Sequence, residues 1–423
     1  MSTTLPDPDM TLQLTDDQDK ALKALVAFLS QETETVFVLE GYSGTGKSTL
    51  MRIFLQRLPK LMQSIQLINP KAANYELVLT ATTNKAAQNL QQITNTNVTT
   101  LHSFLGLTVK TDYYTGKTSL MQRRNPNHCN KLVIVDEASY IDADLMRQLF
   151  GSLFNSKVIF VGDPAQLTPV KSKGSPVFLA NFPGARLTQI VRQAQGNPII
   201  ELSTKFRETV ITGQWFRFTP DGEHVVYLPN RDDFEQAIKD EFLRPDWNYN
   251  DSKILAWRNA TCIAFNRRIN DLKRGHSAFH VNDYAVVNSY YRQNKYTFKT
   301  DELVLITNIS PPKVEYGIKG RYYTLNYMVT AFCPDSFQEA RKRYAQAVKN
   351  KELQVAEQID KNWVDLRSVY ACTINKSQGS TYDKVFIDLN DLKGCRNNEQ
   401  IARMLYVGVS RARHQVILTG DLI

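Results

Sequence analysis

The stretch Gly41-Tyr42-Ser43-Gly44-Thr45-Gly46-Lys47-Ser48-Thr49 leaves this chain few choices of fold. It fits G-x-x-x-x-G-K-[ST], a loop whose backbone N–H groups wrap a phosphate. Before it, Thr35-Val36-Phe37-Val38-Leu39-Glu40 is β-branched and apolar enough for a buried strand. After it, Leu50 to Leu58 has helical spacing, and Pro59 is expected to end the helix. Strand, glycine loop and helix in that order aim N–H groups and a helix N-terminus at an anion. Gly41, Gly44, Thr45, Gly46 and Thr49 then form the nucleotide loop. Lys47 would reach the β- and γ-phosphates, and the Ser48 hydroxyl would ligate Mg²⁺. The loop implies a nucleoside triphosphate and leaves open what its energy drives.

A chain of 423 residues is too long for one core, so two or more domains are expected. Its net charge of +9 favours a polyanionic partner such as nucleic acid. The five cysteines are scattered without metal-ligand spacing and read as reduced thiols. No run is long and apolar enough to span a bilayer, and no signal-peptide core is visible at the N-terminus. A cytoplasmic protein is therefore expected.

Further strands end in polar residues. Lys131 to Val135 runs into Asp136-Glu137. Asp136 is placed to hold Mg²⁺, and Glu137 to orient and deprotonate the attacking water. A carboxylate pair of this kind after a phosphate loop points to hydrolysis. Lys157 to Val161 leads to Gly162-Asp163-Pro164-Ala165-Gln166, where Gln166 could sense the γ-phosphate. Arg192, Arg411 and Arg413 are candidate arginine fingers, with a surface salt bridge as the plain alternative. Near the N-terminus, Thr15 and Gln18 fit a helix capping box. The functional alternative has Gln18 present its amide to the adenine of ATP, and one side chain is not expected to do both.

Candidate nucleic-acid contacts lie elsewhere. Glu76 to Ala81 is a strand running into Thr82-Thr83-Asn84, whose polar groups suit phosphates or plain helix capping. His102 follows shortly. A hairpin with a glycine turn is predicted over residues 107–121, with Tyr113 and Tyr114 near its tip beside Lys110, Lys117, Arg123 and Arg124. Base stacking and cross-strand packing account for the tyrosines equally well. From about residue 198 a second α/β pattern begins. Asp283 to Val287, Glu302 to Ile306 and Tyr322 to Val329 have strand character and suggest a small inserted barrel. A charged helical stretch follows, from Asp335 to about Asp360, with a packing stripe on Phe337, Ala340, Tyr344, Ala347 and Val348. Ser368 to Ile374 is a strand leading into Asn375-Lys376-Ser377-Gln378-Gly379-Ser380-Thr381.

Taken in order, these stretches resemble the motifs of a superfamily 1 helicase from Leu14 to Leu418. Gln18 resembles the Q motif and Gly41 to Thr49 motif I. Ala81 to Ala87 resembles motif Ia, Thr100-Leu101-His102 motif Ib, and Asp136-Glu137 motif II. Gly162 to Val170 is similar to motif III, Arg192 to the arginine of motif IV, Lys376 to Thr381 to motif V, and Leu405 to Arg413 to motif VI. Ser380-Thr381 after the motif V glycine resembles the RecD/Dda-type, superfamily 1B group. Thr82 and Asn84 stand where Pro and Gly are usual, and Asn375 where His is usual.

The resemblance implies an α/β fold of two RecA-like parallel-sheet motor domains. Domain 1A would comprise residues 1–104 and 129–192, with a β-hairpin pin, 1B, at 105–128. Domain 2A would comprise 193–277 and 367–423, with an SH3-like barrel plus helical extension, 2B, at 278–366. It implies ATP and Mg²⁺ as cofactors, hydrolysis in the 1A/2A cleft, and 5′→3′ movement on single-stranded DNA with duplex unwinding. Glu137, Gln166, Arg192 and Arg411 would be catalytic. Thr82, Thr83, Asn84, His102, Tyr113, Tyr114, Asn375, Lys376, Ser377, Gly379, Ser380 and Thr381 would contact DNA. The implied partners are single-stranded DNA and single-strand/duplex junctions, with single-strand-binding and replication or recombination proteins as further candidates. The implied state is a monomer without membrane contact, and a phage source, hence a host-cell cytoplasm, follows from the Dda likeness alone. Two readings compete: an ATP-driven translocase that displaces bound protein with little unwinding, and a P-loop kinase. The kinase reading leaves the late arginine motif and the basic charge without a task.

Overall fold

The computed structural model describes residues 14–68, 74–112, 117–122, 127–169, 174–189, 196–275 and 279–422. The chain forms two compact units. The first comprises Met1–Leu105, Asn125–Pro164 and Thr168–Gln195; the second comprises Gly106–Arg124, Ala165–Leu167 and Gly196–Ile423.

The first unit is built on a six-stranded, all-parallel sheet. Its spatial order is Gly184–Leu187, Val36–Gly41, Lys157–Gly162, Lys131–Asp136, Glu76–Ala81, Val98–Thr100. Central strands of such a sheet are covered on both faces, which is why Lys157–Gly162 is buried throughout and Val36–Gly41 almost so. Helix Asp16–Ser30 buries Ala21, Leu22, Leu25, Phe28 and Leu29 in this core.

The phosphate-loop helix does not end at Pro59. It runs from Lys47 to Ile68 with Pro59 inside it. Proline removes one hydrogen bond and normally breaks a helix. Here Pro59 lies on the exposed face, where water can serve the carbonyl it leaves unpaired. Leu58 and Ile65, with Met62 beside them, hold both sides of it to the core.

A buried lysine closes the opposite end of the sheet. Lys157 Nζ donates to Phe28 O at 3.1 Å, Gln31 O at 2.6 Å and to Glu34 O, and it lies 4.5 Å from the Phe28 ring centroid. The cation thus serves the carbonyls of Phe28 and Gln31 at the C-terminal end of helix Asp16–Ser30, where the helix dipole is negative, and that of Glu34 in the turn beyond it.

The second unit contains a five-stranded parallel sheet, ordered Val225–Leu228, Ala412–Thr419, Tyr382–Asp388, Ser252–Ala256, Ala371–Thr373. Helices Pro198–Thr212, Arg231–Phe242, Asn259–Arg274 and Asn398–Val409 accompany it. Between Ala256 and Ala371 the chain leaves this sheet to form a mainly antiparallel one from Tyr284–Val287, Glu302–Ile309, Lys313–Glu315, Ile318–Leu325, Val329–Pro334 and Leu366–Arg367. The run Tyr322 to Val329, expected as one strand, is a hairpin. Asn326 and Tyr327 have φ of 52° and 59°, and Met328 N donates to Leu325 O at 2.9 Å, the signature of a type I′ turn. The charged stretch is two helices, Phe337–Lys349 and Leu353–Asn362, broken where Lys351 adopts φ 60°. Of the expected stripe, Ala340 and Ala347 are buried.

Leu107–Asp112 and Lys117–Gln122 form an antiparallel hairpin in the second unit. Its expected tip, Tyr113 to Gly116, lies outside the described residues. Among the described residues no helix is long and apolar enough to cross a membrane.

Replacing Lys157 with Met keeps the volume and removes the three hydrogen bonds. Unsatisfied buried acceptors cost about 1–3 kcal/mol, so urea denaturation should show a lower midpoint with an unchanged slope.

Candidate active site

All six strands of the first sheet run the same way, so their C-terminal ends share one edge. The registers Ala81↔Asp136, Glu40↔Gly162 and Gly41↔Leu187 align the phosphate loop with Asp136-Glu137 along it.

The loop is tightly built. A Cβ added at Gly41 would come within 2.8 Å of Thr45 Oγ1 and 2.9 Å of Lys47 Cγ, so no side chain fits. Gly44 and Gly46 have φ of 83° and 79°, which glycine adopts without strain. Thr45 is buried, and its hydroxyl donates to Tyr42 O at 2.9 Å. Lys47 Nζ donates to Gly41 O at 2.6 Å and Tyr42 O at 3.0 Å, which holds the ammonium at the mouth of the loop. Lys47, Ser48 and Thr49 open the following helix.

Ser48 opens the phosphate-loop helix and Asp136 ends a strand on the same sheet edge; the small cavity that both adjoin is apolar, lined by Met51, Leu55, Leu79, Leu90, Ile134 and Val161. A hydroxyl and a carboxylate are hard oxygen donors and fit Mg²⁺, which keeps waters and phosphate oxygens for its remaining positions. Among the described residues there is no cluster of three or more His, Cys, Asp or Glu that could form an all-protein cage. Burial pushes the Asp136 carboxyl up to about 7, and the adjacent Glu137 charge adds to the rise; the Glu137 N–H and Lys47 oppose it.

Glu137 has φ 54° and ψ 44°, the left-handed conformation, at the start of the short helix Ala138–Tyr140. A non-glycine residue there is strained. Its surroundings hold it. Thr82 Oγ1 donates to Glu137 O at 2.9 Å, and buried Ser175 Oγ reaches Ala138 O at 3.0 Å and Ile141 O at 3.1 Å. Ser175 carried no signal in the sequence, because its partners lie more than 30 positions away.

Gln18 takes the capping role. The capping box with Thr15 is present, its Oε1 accepting from Thr15 N at 3.1 Å. Its Nε2 donates to Thr45 O at 3.1 Å, so the same buried amide also braces the phosphate loop.

The candidate nucleic-acid residues take varied positions. Thr83 caps helix Asn84–Thr94 by accepting from Ala86 N at 3.1 Å. His102 sits in the short helix Leu101–Phe104, and burial holds its imidazole below the ordinary value. In the second unit, Asn375, Lys376 and Ser377 form the helical turn Ile374–Ser377. Lys376 Nζ donates to Asn288 Oδ1 at 2.7 Å and Asp301 Oδ1 at 2.6 Å. Ser377 is fully buried, its hydroxyl donating to Ile374 O at 2.8 Å. Gly379 has φ 78°, and Ser380 and Thr381 follow it towards Tyr382–Asp388. Tyr113, Tyr114 and Arg192 lie outside the described residues.

The segment Ala165–Leu167 belongs to the second unit. There Gln166 Oε1 accepts from Gln378 Nε2, and Gln166 O accepts from Arg403 Nη1 at 2.7 Å. Arg403 was not singled out in the sequence, although an arginine within the apolar run of Ile401 to Val409 is a visible anomaly. Arg411 is buried, donating to Val407 O at 3.1 Å, Ser380 O at 3.3 Å and Ser410 Oγ at 2.9 Å.

Comparisons with known proteins agree with this arrangement. The AAA domain family matches residues 13–224, half of the chain, and the UvrD-like helicase C-terminal domain matches residues 368–419. The chain belongs to the superfamily 1B helicases of the RecD/Pif1 type. It is 34% identical over 166 residues to the ATP-dependent RecD2 DNA helicase of Deinococcus radiodurans, covering 39% of this chain and 20% of that protein. It is 21% identical over 496 aligned positions to an uncharacterized protein of Acanthamoeba polyphaga mimivirus, covering 94% and 98%. The chain thus spans nearly all of the mimivirus relative but only a fifth of RecD2. A solved structure concerning DNA unwinding at forked duplex DNA by two coordinating Pif1 helicases superposes with a TM-score of 0.53 at 16% identity, covering 97% of this chain and 93% of that one. That likeness shows the shared α/β, RecA-like fold.

For the RecD/Pif1-type chain the Asp136 shift has a consequence. Its folded-state carboxyl keeps a proton from about pH 4 up to about 7 while the unfolded one has lost it, so raising the pH across that window destabilises the fold. Asp136→Asn removes the penalty. Without nucleotide or Mg²⁺, its melting temperature should rise above the wild type's as pH goes from 5 to 8.

Proposed function

We propose that this protein is an ATP-dependent DNA helicase that moves 5′→3′ on single-stranded DNA and opens duplexes ahead of it. The observation that carries the hydrolytic part is the phosphate loop, with Lys47 held at its mouth, on the same sheet edge as Asp136 and strained Glu137. A pure binding protein would have no task for the Glu137 carboxylate as a base. Lys47 would neutralise the β- and γ-phosphates, and Ser48 and Asp136 would hold the metal. Mg²⁺ supplies charge neutralisation of the phosphates when bound. Glu137 would take the proton of the attacking water, and Arg192 and Arg411 would stabilise the charge that develops.

The RecD and Pif1 relatives support DNA as the track. Polarity rests on Ser380-Thr381. The domain scheme is part of the same reading: 1A at 1–104 and 129–192, 1B at 105–128, 2A at 193–277 and 367–423, 2B at 278–366. The antiparallel hairpin supports a pin at 1B, and the antiparallel sheet between Tyr284 and Arg367 supports an SH3-like 2B. Thr82, Thr83, Asn84, His102, Asn375, Lys376, Gly379, Ser380 and Thr381 remain candidate DNA contacts. Gln18 remains a candidate for adenine.

Duplexes with a 5′ or a 3′ single-stranded tail test the proposal, with Lys47→Ala as the blank. Opening of the 5′-tailed duplex alone is expected, and Lys47→Ala should lower single-strand-stimulated ATP turnover by about 10²–10³. If neither duplex opens while single strands still stimulate turnover, the protein is a translocase that displaces bound protein.

Replacing both Tyr113 and Tyr114 with Ala should cut unwinding far more than DNA-stimulated turnover. Equal loss of both activities would reject the pin.

A further inference from the structure

Between Val287 and Glu302 the antiparallel sheet of the second unit gives off a small hairpin, Tyr291–Gln293 paired with Tyr296–Phe298. One face is committed to packing: Tyr291 and Phe298 stand opposite each other, each 3% exposed, in the core of that sheet. The two-residue period turns the paired Arg292 and Thr297 to the other face, where both are exposed. Tyr290 and Lys299 continue that period on either side and are exposed as well, Tyr290 by 61%. At the turn, Lys295 places its ammonium 5.3 Å from the Tyr296 ring centroid. The run of residues 289–300 carries Arg292, Lys295 and Lys299 and no acidic residue. Packing explains Tyr291 and Phe298 but not the outer face. Both ends of the hairpin are fastened to the turn Ile374–Ser377. Lys376 Nζ donates to Asn288 Oδ1 at 2.7 Å and to Asp301 Oδ1 at 2.6 Å. Asn288 N donates to Asp365 O at 2.8 Å and Asp301 N to Val287 O at 2.8 Å, which fixes both anchors in turn. Along the chain Arg292 lies at most about 14 Å from Asn288, and Lys299 at most about 7 Å from Asp301.

We propose that Tyr290, Arg292 and Lys299, with Lys295 at the turn, form a binding site for single-stranded DNA that continues from the turn Ile374–Ser377. The proposal rests on the DNA reading given above. A ring held outward beside cations suits a single strand, whose bases offer faces to stack on and whose phosphates take the charge. Bases in a duplex already stack on one another, so Tyr290 favours the single strand. The absence of any carboxylate over residues 289–300 leaves the outer face complementary to a polyanion. Lys376 is engaged by Asn288 and Asp301, so it fastens the hairpin to the turn and keeps the two contact regions at a fixed separation.

The test is binding of fluorescent oligothymidylate, followed by anisotropy from about 50 to about 200 mM salt. It compares wild type with Tyr290→Ala, Tyr290→Phe and the double variant Arg292→Gln/Lys299→Gln. A stacked base is worth roughly 5- to 150-fold in affinity, so Tyr290→Ala should weaken binding at least about fivefold, while Tyr290→Phe keeps the ring and should stay within about twofold. Each phosphate contact on a single strand adds about 0.7 to the slope of log K against log[salt], so the double variant should flatten it by about 1.4. Arg341→Gln/Lys342→Gln removes two exposed cations from helix Phe337–Lys349 instead and should leave the slope unchanged. In ATP hydrolysis at saturating oligothymidylate, Tyr290→Ala should keep kcat and the KM for ATP within about twofold, with half-maximal stimulation moved to higher DNA concentration. Unchanged binding by Tyr290→Ala overturns the proposal, as does an equal flattening by the Arg341/Lys342 pair or an equal weakening of blunt-duplex binding by Tyr290→Ala. Failure of the parent reading looks different: wild-type protein would not bind oligothymidylate, or its ATP turnover would not respond to it.

Discussion

Parallel alignment of the first sheet is the constraint on which the rest depends. Strands that all point one way must end on one edge, and their hydrogen-bond registers then decide which residues stand beside which. Val36–Gly41 delivers the phosphate loop, Lys131–Asp136 delivers the carboxylates, and Lys157–Gly162 lies between them as a fully buried spacer. A slip of one residue of Lys131–Asp136 against its neighbours would send Asp136 to the opposite face. Gly41 shows how little slack remains: the loop folds back so closely that its own Thr45 and Lys47 fill the space of a single methyl group.

Much of this was legible in the sequence because its determinants are local. The phosphate loop declares itself within nine residues, and each buried strand is a short β-branched run. The capping box of Thr15 and Gln18 reads off a spacing of three. What escaped was set by distant partners. Lys157 finds its acceptors more than 120 positions away, Arg403 meets Gln166 across 237, and Asp17 meets Thr188 across 171. Periodicity contains no trace of such pairs. Two misreadings have a different origin. Backbone chemistry alone ends a helix at Pro59, and the exposure of its face that lets the helix continue is set by the tertiary fold. Tyr322 to Val329 looked like one strand because the turn residues Asn326 and Tyr327 sit in an otherwise strand-like run.

Buried polar groups recur wherever two elements must meet at a fixed angle. Asp391 is almost fully buried and accepts from Trp257 N, Arg258 Nε and Thr261 Oγ1, all within 2.8 Å, where helix Asn259–Arg274 begins. Ser175 does the same for the turn after Glu137. Burying a polar group is costly unless its bonds are made, so each such group penalises every packing except the one that satisfies it. Apolar contacts supply most of the stability of both units, and these few polar contacts supply the alignment that chemistry at a strand edge requires.

Lys157 extends that idea to charge. The C-terminal end of a helix is a concentration of negative dipole, ordinarily tended by water and by ions that come and go. Here the tending ion is covalently part of the neighbouring strand. Helix and sheet therefore cannot separate without exposing an unneutralised pole on one side and stranding a buried cation on the other. The lysine acts as a tethered counter-ion, and it couples the seat of helix Asp16–Ser30, and with it the grip of Gln18 on the phosphate loop, to the central strand of the sheet.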